Sequence, residues 1–293
     1  VRIIKHLRDR LQYVAALERR IELLQEAMGR IEARQTLDAR TFREAEFRVF
    51  SQWGEDGILQ FLVRRIPIER RIFVEFGVQD YSESNTRFLL INNNWSGLVI
   101  DGSAENIESV RRSEIYWQHA LHAEHAFITS ENINDLIDSK GIRGDIGILS
   151  VDIDGNDYWV WKAIDVVSPR IVVVEYNSRF GAEREVTIPY DPAFSRSRAH
   201  PSMIYYGASL AALSRLGEEK GYSLVGCNSA GNNAFFVRKD VQPEMLPSLS
   251  APEAYVRASF REARDANGNL SFLSFDEEQR ILETLPLVDL CKS

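Results

Sequence analysis

The sequence predicts an α/β fold: a doubly wound, mostly parallel sheet of seven strands ending in an antiparallel hairpin, preceded by an N-terminal helix. Three observations predict it. Near-continuous apolar runs such as Ile171–Val174 suit parallel strands buried on both faces. These runs alternate with helix-period segments, the order that right-handed β-α-β crossovers generate. The last two strand-like runs are instead joined only by the short turn Asn228–Asn232, which makes them a hairpin.

Residues 1–46 contain no proline and one glycine, Gly29. Ile4, Leu7, Leu11, Val14, Ile21, Leu24, Met28 and Ile31 recur at steps of three, four or seven, with Glu18 interrupting the seam. That near-heptad spacing predicts a helix whose apolar stripe forms a coiled coil and holds a homo-oligomer together. The alternative is an amphipathic helix lying back on its own domain. Arg2, Lys5, Arg8 and Arg10 also allow weak contact with an anionic membrane surface.

From 47 to 240 the pattern reads as one catalytic domain. Strands are expected at 71–79, 96–103, 120–128 (the weakest), 146–155 and 170–177. Helices are expected at 84–92, 106–112, 132–141 and 158–164, with Asn132 as an N-cap and Gly141 as a stop. A helix at 209–220, with Leu210, Leu213 and Leu216 on one face and Gly221 after it, leads into the hairpin strands 222–227 and 233–238. Residues 241–293 open with Pro243 and Pro247. They suggest helices at 253–264 and 276–285, which either pack on the sheet or cover the substrate pocket.

Composition narrows the function. A net charge of −8 offers no general attraction to nucleic acid. The two cysteines, Cys227 and Cys291, make neither a disulfide framework nor a zinc cluster, so a reducing compartment is the expectation. Apolar stretches fall short of the ~20 residues needed to cross a bilayer. Arg8, Asp9, Arg10, Glu18, Arg19 and Arg20 interrupt any signal-peptide core. The expected location is cytoplasmic, without stable membrane insertion.

Ligands of open α/β sheets bind beyond the carboxyl ends of the strands, where strand order reverses. The predicted strand ends carry Glu75 and Gly77, Asp101, Phe127, Asp152 and Asp154, and Glu175 and Asn177. Asp101, with Ser103 just after it, is placed to accept hydrogen bonds from vicinal ribose hydroxyls of a nucleotide-type cofactor.

The runs VEFGVQDYSESNTRFLL, GLVIDGS, ILSVDIDGNDYWVWKAI and IVVVEYN resemble the FkbM-like group of class I methyltransferases, over roughly residues 50–240. The resemblance implies S-adenosylmethionine as methyl donor and a sugar or glycoside hydroxyl as acceptor. It also implies that Glu75, Gly77 and Asn85 line the methionine part, that Asp101 holds the ribose, and that Phe127 lies near the adenine. The turn after the first strand departs from the usual Gly-x-Gly-x-Gly form, because Gly77 is its single glycine.

Asp152 and Asp154 lie two apart on a predicted strand, as do Glu175 and Asn177 on the next, so each pair should share a face. Crowded carboxylates repel unless a cation or proton intervenes, and hard oxygen ligands suit Mg²⁺. The four residues are therefore candidate metal ligands, an arrangement similar to catechol-type O-methyltransferases. Candidates for the base that takes the acceptor proton are Asp154 and His200, the latter in the long connection after the fifth strand. Arg179, Arg184, Arg196, Arg198, Tyr190, Tyr205 and Tyr206 share that connection and suit a sugar acceptor. Two other readings compete: a nicotinamide-dependent oxidoreductase, which the missing GxGxxG and the terminal hairpin disfavour, and a non-catalytic coiled-coil scaffold with a degenerate domain, which the acid-rich strand edge disfavours.

Overall fold

The computed structural model describes residues 2–292, without the side chains at 2–5, 7–9, 11, 15 and 18; Ile4, Leu7, Leu11 and Glu18 of the expected seam lie outside the described side chains. A long helix, α1 (Arg2–Gln35), and a short one, α2 (Phe42–Ala45), lead to α3 (Glu55–Arg65). The sheet follows with β1 (Ile72–Phe76), α4 (Arg87–Asn93), β2 (Ser96–Asp101), α5 (Ala104–Arg112), α6 (Glu114–Gln118) and β3 (Leu121–His125). Next come α7 (Ile133–Asp138), β4 (Gly144–Val151), α8 (Asp157–Ala163) and β5 (Val167–Glu175). A long connection holds β6 (Val186–Thr187) and α9 (Arg196–Ala199). It leads to α10 (Leu210–Glu219), β7 (Tyr222–Cys227) and β8 (Asn233–Arg238). The C-terminal stretch carries α11 (Ala251–Ala254), α12 (Phe275–Leu282) and β9 (Val288–Asp289).

The main sheet has the order β3-β2-β1-β4-β5-β8-β7. β1 to β5 pair in parallel, while β8 runs antiparallel to both β5 and β7. The expected seven-stranded sheet with a terminal hairpin is therefore present. Its order reverses between β1 and β4, the place where an open sheet parts its helix layers and leaves a crevice. Val74, Leu149, Val172 and Phe236 pack toward one layer, and Phe73, Ile148, Ile171 and Phe235 toward the other, so the central strands are buried on both faces. That explains why they read as continuous apolar runs.

Three expectations are corrected. β4 ends at Val151, so Asp152 and Asp154 lie on the following loop and not on one strand face. Asp157 ends the strand by accepting the N–H groups of Ile153 (2.9 Å) and Gly155 (2.9 Å), and Asp154 takes a left-handed φ of 56°. β5 ends at Glu175, which leaves Asn177 beyond it. The helix expected at 253–264 is only α11, because backbone groups of the next residues bond to the body instead: Tyr176 donates to the Val256 carbonyl at 2.6 Å, and the Ala258 N–H donates to Ser178 Oγ at 3.0 Å. Among the described residues no helix is long and apolar enough to cross a membrane.

Candidate functional site

The crevice at the carboxyl ends of β1, β2, β4 and β5 is a cavity of about 550 Å³. It falls within the range of cavities that hold cofactor-sized ligands. Glu75, Gly77, Asn85, Asp101, Phe127, Asp152, Asp154 and Glu175 all line it, so eight of the residues predicted from the sequence converge on one site.

On the β1 side, Glu75 is a clamp for the backbone. Its Oε1 accepts the Asn85 N–H at 2.7 Å, and its Oε2 accepts the Thr86 N–H at 3.1 Å and the Thr86 hydroxyl. Burial pushes its carboxyl up to about 7, although the Thr86 and Asn85 donors pull the other way. Asn85 in turn donates to Ser150 Oγ at 3.1 Å, tying the start of α4 to β4. The loop between them needs left-handed backbone at Gly77 (φ 70°), Gln79 (49°) and Tyr81 (63°). The single glycine stands at the one of these positions where a side chain would collide with β4's end.

Asp101 ends β2 and is buried. Its Oδ2 accepts the Gln79 N–H at 2.8 Å, and its Oδ1 accepts the Ser103 N–H at 2.8 Å and the Asn106 amide at 3.2 Å. These bonds fix the carboxylate at the rim and leave one lone pair, on Oδ2, for a ligand's hydroxyl. Ser103 itself does not line the cavity. It is the N-cap of α5, accepting the Asn106 N–H at 3.3 Å. Phe127, about half exposed, stands on the β3 side of the same opening.

Where β4 and β5 end the crevice is acidic: Asp152 and Glu175 line it, and Asp157 lies buried behind them. One oxygen each from Asp152, Asp157 and Glu175 lie within 4.8 Å of one another. Burial, and then the neighbouring carboxylates, push Asp152 and Glu175 well above the ordinary carboxyl range. Burial also raises Asp157 to about 6. Among the described residues Glu175 Oε2 has no hydrogen-bond partner, an orphan acceptor in a buried place. Such a group is costly unless a cation or proton completes it.

Asp157 was missed by reading strand ends alone, because it belongs to the first turn of α8. Two predicted ligands do not join the cluster. Asp154 is 61% exposed and pairs with Arg196 at 2.5 Å. The Asn177 amide donates to the carbonyls of Ile204 (2.9 Å) and Tyr206 (3.1 Å), and its oxygen accepts the Arg179 N–H, so it is committed to holding the β5 connection. His200 does not reach the crevice. Its Nδ1 lies 2.6 Å from Ser202 Oγ, within the long connection.

Arg196 comes into the site from that connection instead. Its guanidinium lies 3.8 Å from the Tyr206 ring centre and binds Asp154, Glu262 (2.7 Å) and the Met203 carbonyl (2.6 Å). Arg179 also holds Glu262 (2.9 Å), together with Glu278 (3.0 Å). These two arginines strap the C-terminal segment across the opening. There Phe260 stacks on Trp53, with ring centres 5.2 Å apart and an interplanar angle of 19°. Trp53 is aimed by α3: Glu55 Oε2 accepts the N–H groups of Trp53 (3.1 Å) and Gly54 (2.9 Å), while Asp56 Oδ2 accepts those of Val49, Phe50 and Ser51 at 2.7–2.8 Å.

In sequence comparison no family model and no curated protein matches the chain. Solved structures do align with it. The N-terminal domain of EvdMO1 with SAH bound gives a TM-score of 0.41 at 13% identity, over 64% of this chain and 80% of that one. An O-methyltransferase from Bacillus cereus in complex with SAH gives 0.38 at 14% identity, over 70% and 88%. A S-adenosylmethionine-dependent methyltransferase from Clostridium acetobutylicum gives 0.38 at 9% identity, over 62% and 88%.

Proposed function

We propose that the chain is an S-adenosylmethionine-dependent O-methyltransferase acting on a hydroxyl of a sugar or glycoside. The observation that supports this reading is the convergence of Asp101, Asp152 and Glu175 on one cavity at the sheet's switch point, with Asp157 buried directly behind the last two. A buried acid at the end of β2 is placed to hold a ribose hydroxyl. The loop locked by Glu75 surrounds the neighbouring position, which suits the donor's amino-acid part, and Phe127 gives a flat surface for its base.

The acceptor end suits a carbohydrate because it combines two kinds of surface. The Trp53–Phe260 pair offers aromatic surface for the apolar face of a sugar ring, and the carboxylates that line the same cavity can bind hydroxyls. The cluster also fits a hard divalent cation such as Mg²⁺, since its donors are oxygens and Glu175 Oε2 lacks a partner among the described residues. Asp152, Asp157 and Glu175 would hold the ion, which would lower the pKa of a bound hydroxyl. The chain's own residues then supply position: aligned reactants gain roughly 7–11 kcal/mol over free encounter.

Calorimetric titration tests the reading. SAH should bind, NAD should not, and Asp101→Ala should weaken SAH by about tenfold or more, the loss of a charged hydrogen bond. Binding of NAD in place of SAH would end this assignment.

A further inference from the structure

Helix α1 carries two stripes, and the apolar one is not the one that packs on its own body. Arg19, Glu22, Glu26, Gly29 and Ala33 face inward. Glu22 pairs with Arg87 at 2.9 Å, Arg19 pairs with Glu114 at 3.2 Å, and Ala33 is buried. A Cβ on Gly29 would meet Val49 at 2.6 Å and Phe88 at 2.8 Å, so the helix backbone rests directly on that cluster. At about 100° per residue, Val14, Leu17, Ile21, Leu24, Met28 and Ile31 lie on nearly the opposite side. These six are 45–66% exposed. Their steps of three and four are the a and d positions of a heptad, with Leu17 and not Glu18 in the seam.

We propose that this seam pairs with the same helix of a second copy of the chain, as a parallel two-stranded coiled coil. An amphipathic helix that served only its own domain would turn this stripe inward. A seam that is complementary to itself is met by an identical seam through a two-fold axis. Val14 and Ile21 at a, with Leu17 and Leu24 at d, are the β-branched and leucine combination that favours two parallel strands. Along the flanks of a parallel pair Arg20 faces Gln25 and Ala27 faces Glu32 of the second copy, so no like charges meet. Six half-exposed apolar side chains from each copy, with the stems beside them, bring the contact to roughly the 1,000 Å² that marks a specific interface. A membrane surface is the poorer occupant. It calls for a cationic border, whereas Arg20, Gln25, Ala27, Glu32 and Arg34 alternate in character.

Sedimentation equilibrium of the full chain at micromolar concentration should give twice the monomer mass. The double substitution Ile21→Lys and Leu24→Lys should give the monomer with a cooperative thermal melt that no longer depends on protein concentration, because both side chains stand in solvent on the single copy. In a Cys291→Ser background, Ile31→Cys should form a disulfide-linked dimer on mild oxidation, since equal d positions face each other only in the parallel arrangement. A monomeric native chain overturns the proposal. So does a dimer that survives the two lysines, which would place the interface elsewhere. A dimer that fails to link at position 31 overturns the parallel orientation.

Discussion

A Cβ placed on Gly77 would lie 1.7 Å from the backbone carbonyl oxygen of Asp152. The loop after β1 and the end of β4 are in backbone contact there, at the centre of the switch point. Gly77 also has a φ of 70°, which L side chains adopt only with strain. Gly77→Ala should therefore cost at least about 3 kcal/mol, the sum of left-handed strain and a collision that must move β4's end. Gly141→Ala is the control: its φ is also 70°, but no atom lies within 4 Å of the new Cβ, so only about 1–2 kcal/mol is expected. Urea unfolding of both variants decides. Equal costs would show that the contact with Asp152 contributes nothing.

Stability should fall as pH rises through the range where Glu75 titrates. Its carboxyl goes from an ordinary value of 4.5 to about 7 in the folded chain, with burial as the main cause. Between these values the folded state holds a proton that the unfolded state has released. The sign is therefore a stability contribution present below pH 4.5 and lost on the way up to about pH 7. Glu75→Gln removes the titration and sacrifices one acceptor for the Thr86 donors. The variant should be the less stable protein near pH 5, and its deficit should shrink toward pH 8. Melting temperatures across that interval check this, and a deficit that stays constant refutes the assignment.

Much of this site could be read in the sequence because strand ends are sharp when strands are buried. The apolar runs stop at Phe76, Asp101 and Glu175, and the polar residues at those stops are where the chemistry lies. The metal quartet was only half readable. Counting two residues on from Asp152 and Glu175 assumes that the strand continues, but Asp157 caps the backbone after β4, and β5 ends at Glu175. Trp53 and Phe260 lie in irregular segments before and after the sheet, where no period points to the site, whereas Arg196, at the start of α9 in the connection after β5, was among the residues the sequence offered for the acceptor. A signal for Trp53 was nonetheless present. Glu55 and Asp56, two acids in the first turn of a helix, are what fold the Ser51–Gly54 loop back over the crevice.

The acid cluster and the loop histidine should separate cleanly in kinetics. Glu175→Gln keeps the shape but replaces one oxygen of a buried, partly orphaned carboxylate with an amide. It should weaken Mg²⁺ by about tenfold or more, and chelator should abolish turnover in the native chain. His200→Ala should leave turnover within about threefold, far short of the ~10²–10⁴ that a general base contributes, because the imidazole is engaged by Ser202 away from the cavity. Turnover that is indifferent to chelator removes the ion from the mechanism. A large loss in His200→Ala restores the histidine as base.

The Trp53–Phe260 stack should act on the acceptor and not on the donor. Trp53 is held by Glu55 on the rigid side of the site, while Phe260 arrives on a segment with little regular structure that Arg179 and Arg196 pin through Glu262. Truncating either ring removes aromatic surface near the opening and leaves Glu75 and Asp101 untouched. Trp53→Ala and Phe260→Ala should each raise the KM for a glycoside acceptor by about tenfold, in keeping with roughly 0.5–1.5 kcal/mol for ring stacking plus lost buried area. SAH affinity, measured by calorimetry on the same preparations, should stay within about twofold. Glu262→Gln should repeat the acceptor defect more weakly, because it loosens the strap while keeping both rings. If the alanine variants lose SAH binding and keep the acceptor KM, the aromatic wall belongs to the donor half of the cavity, and the two ends of the site must be exchanged.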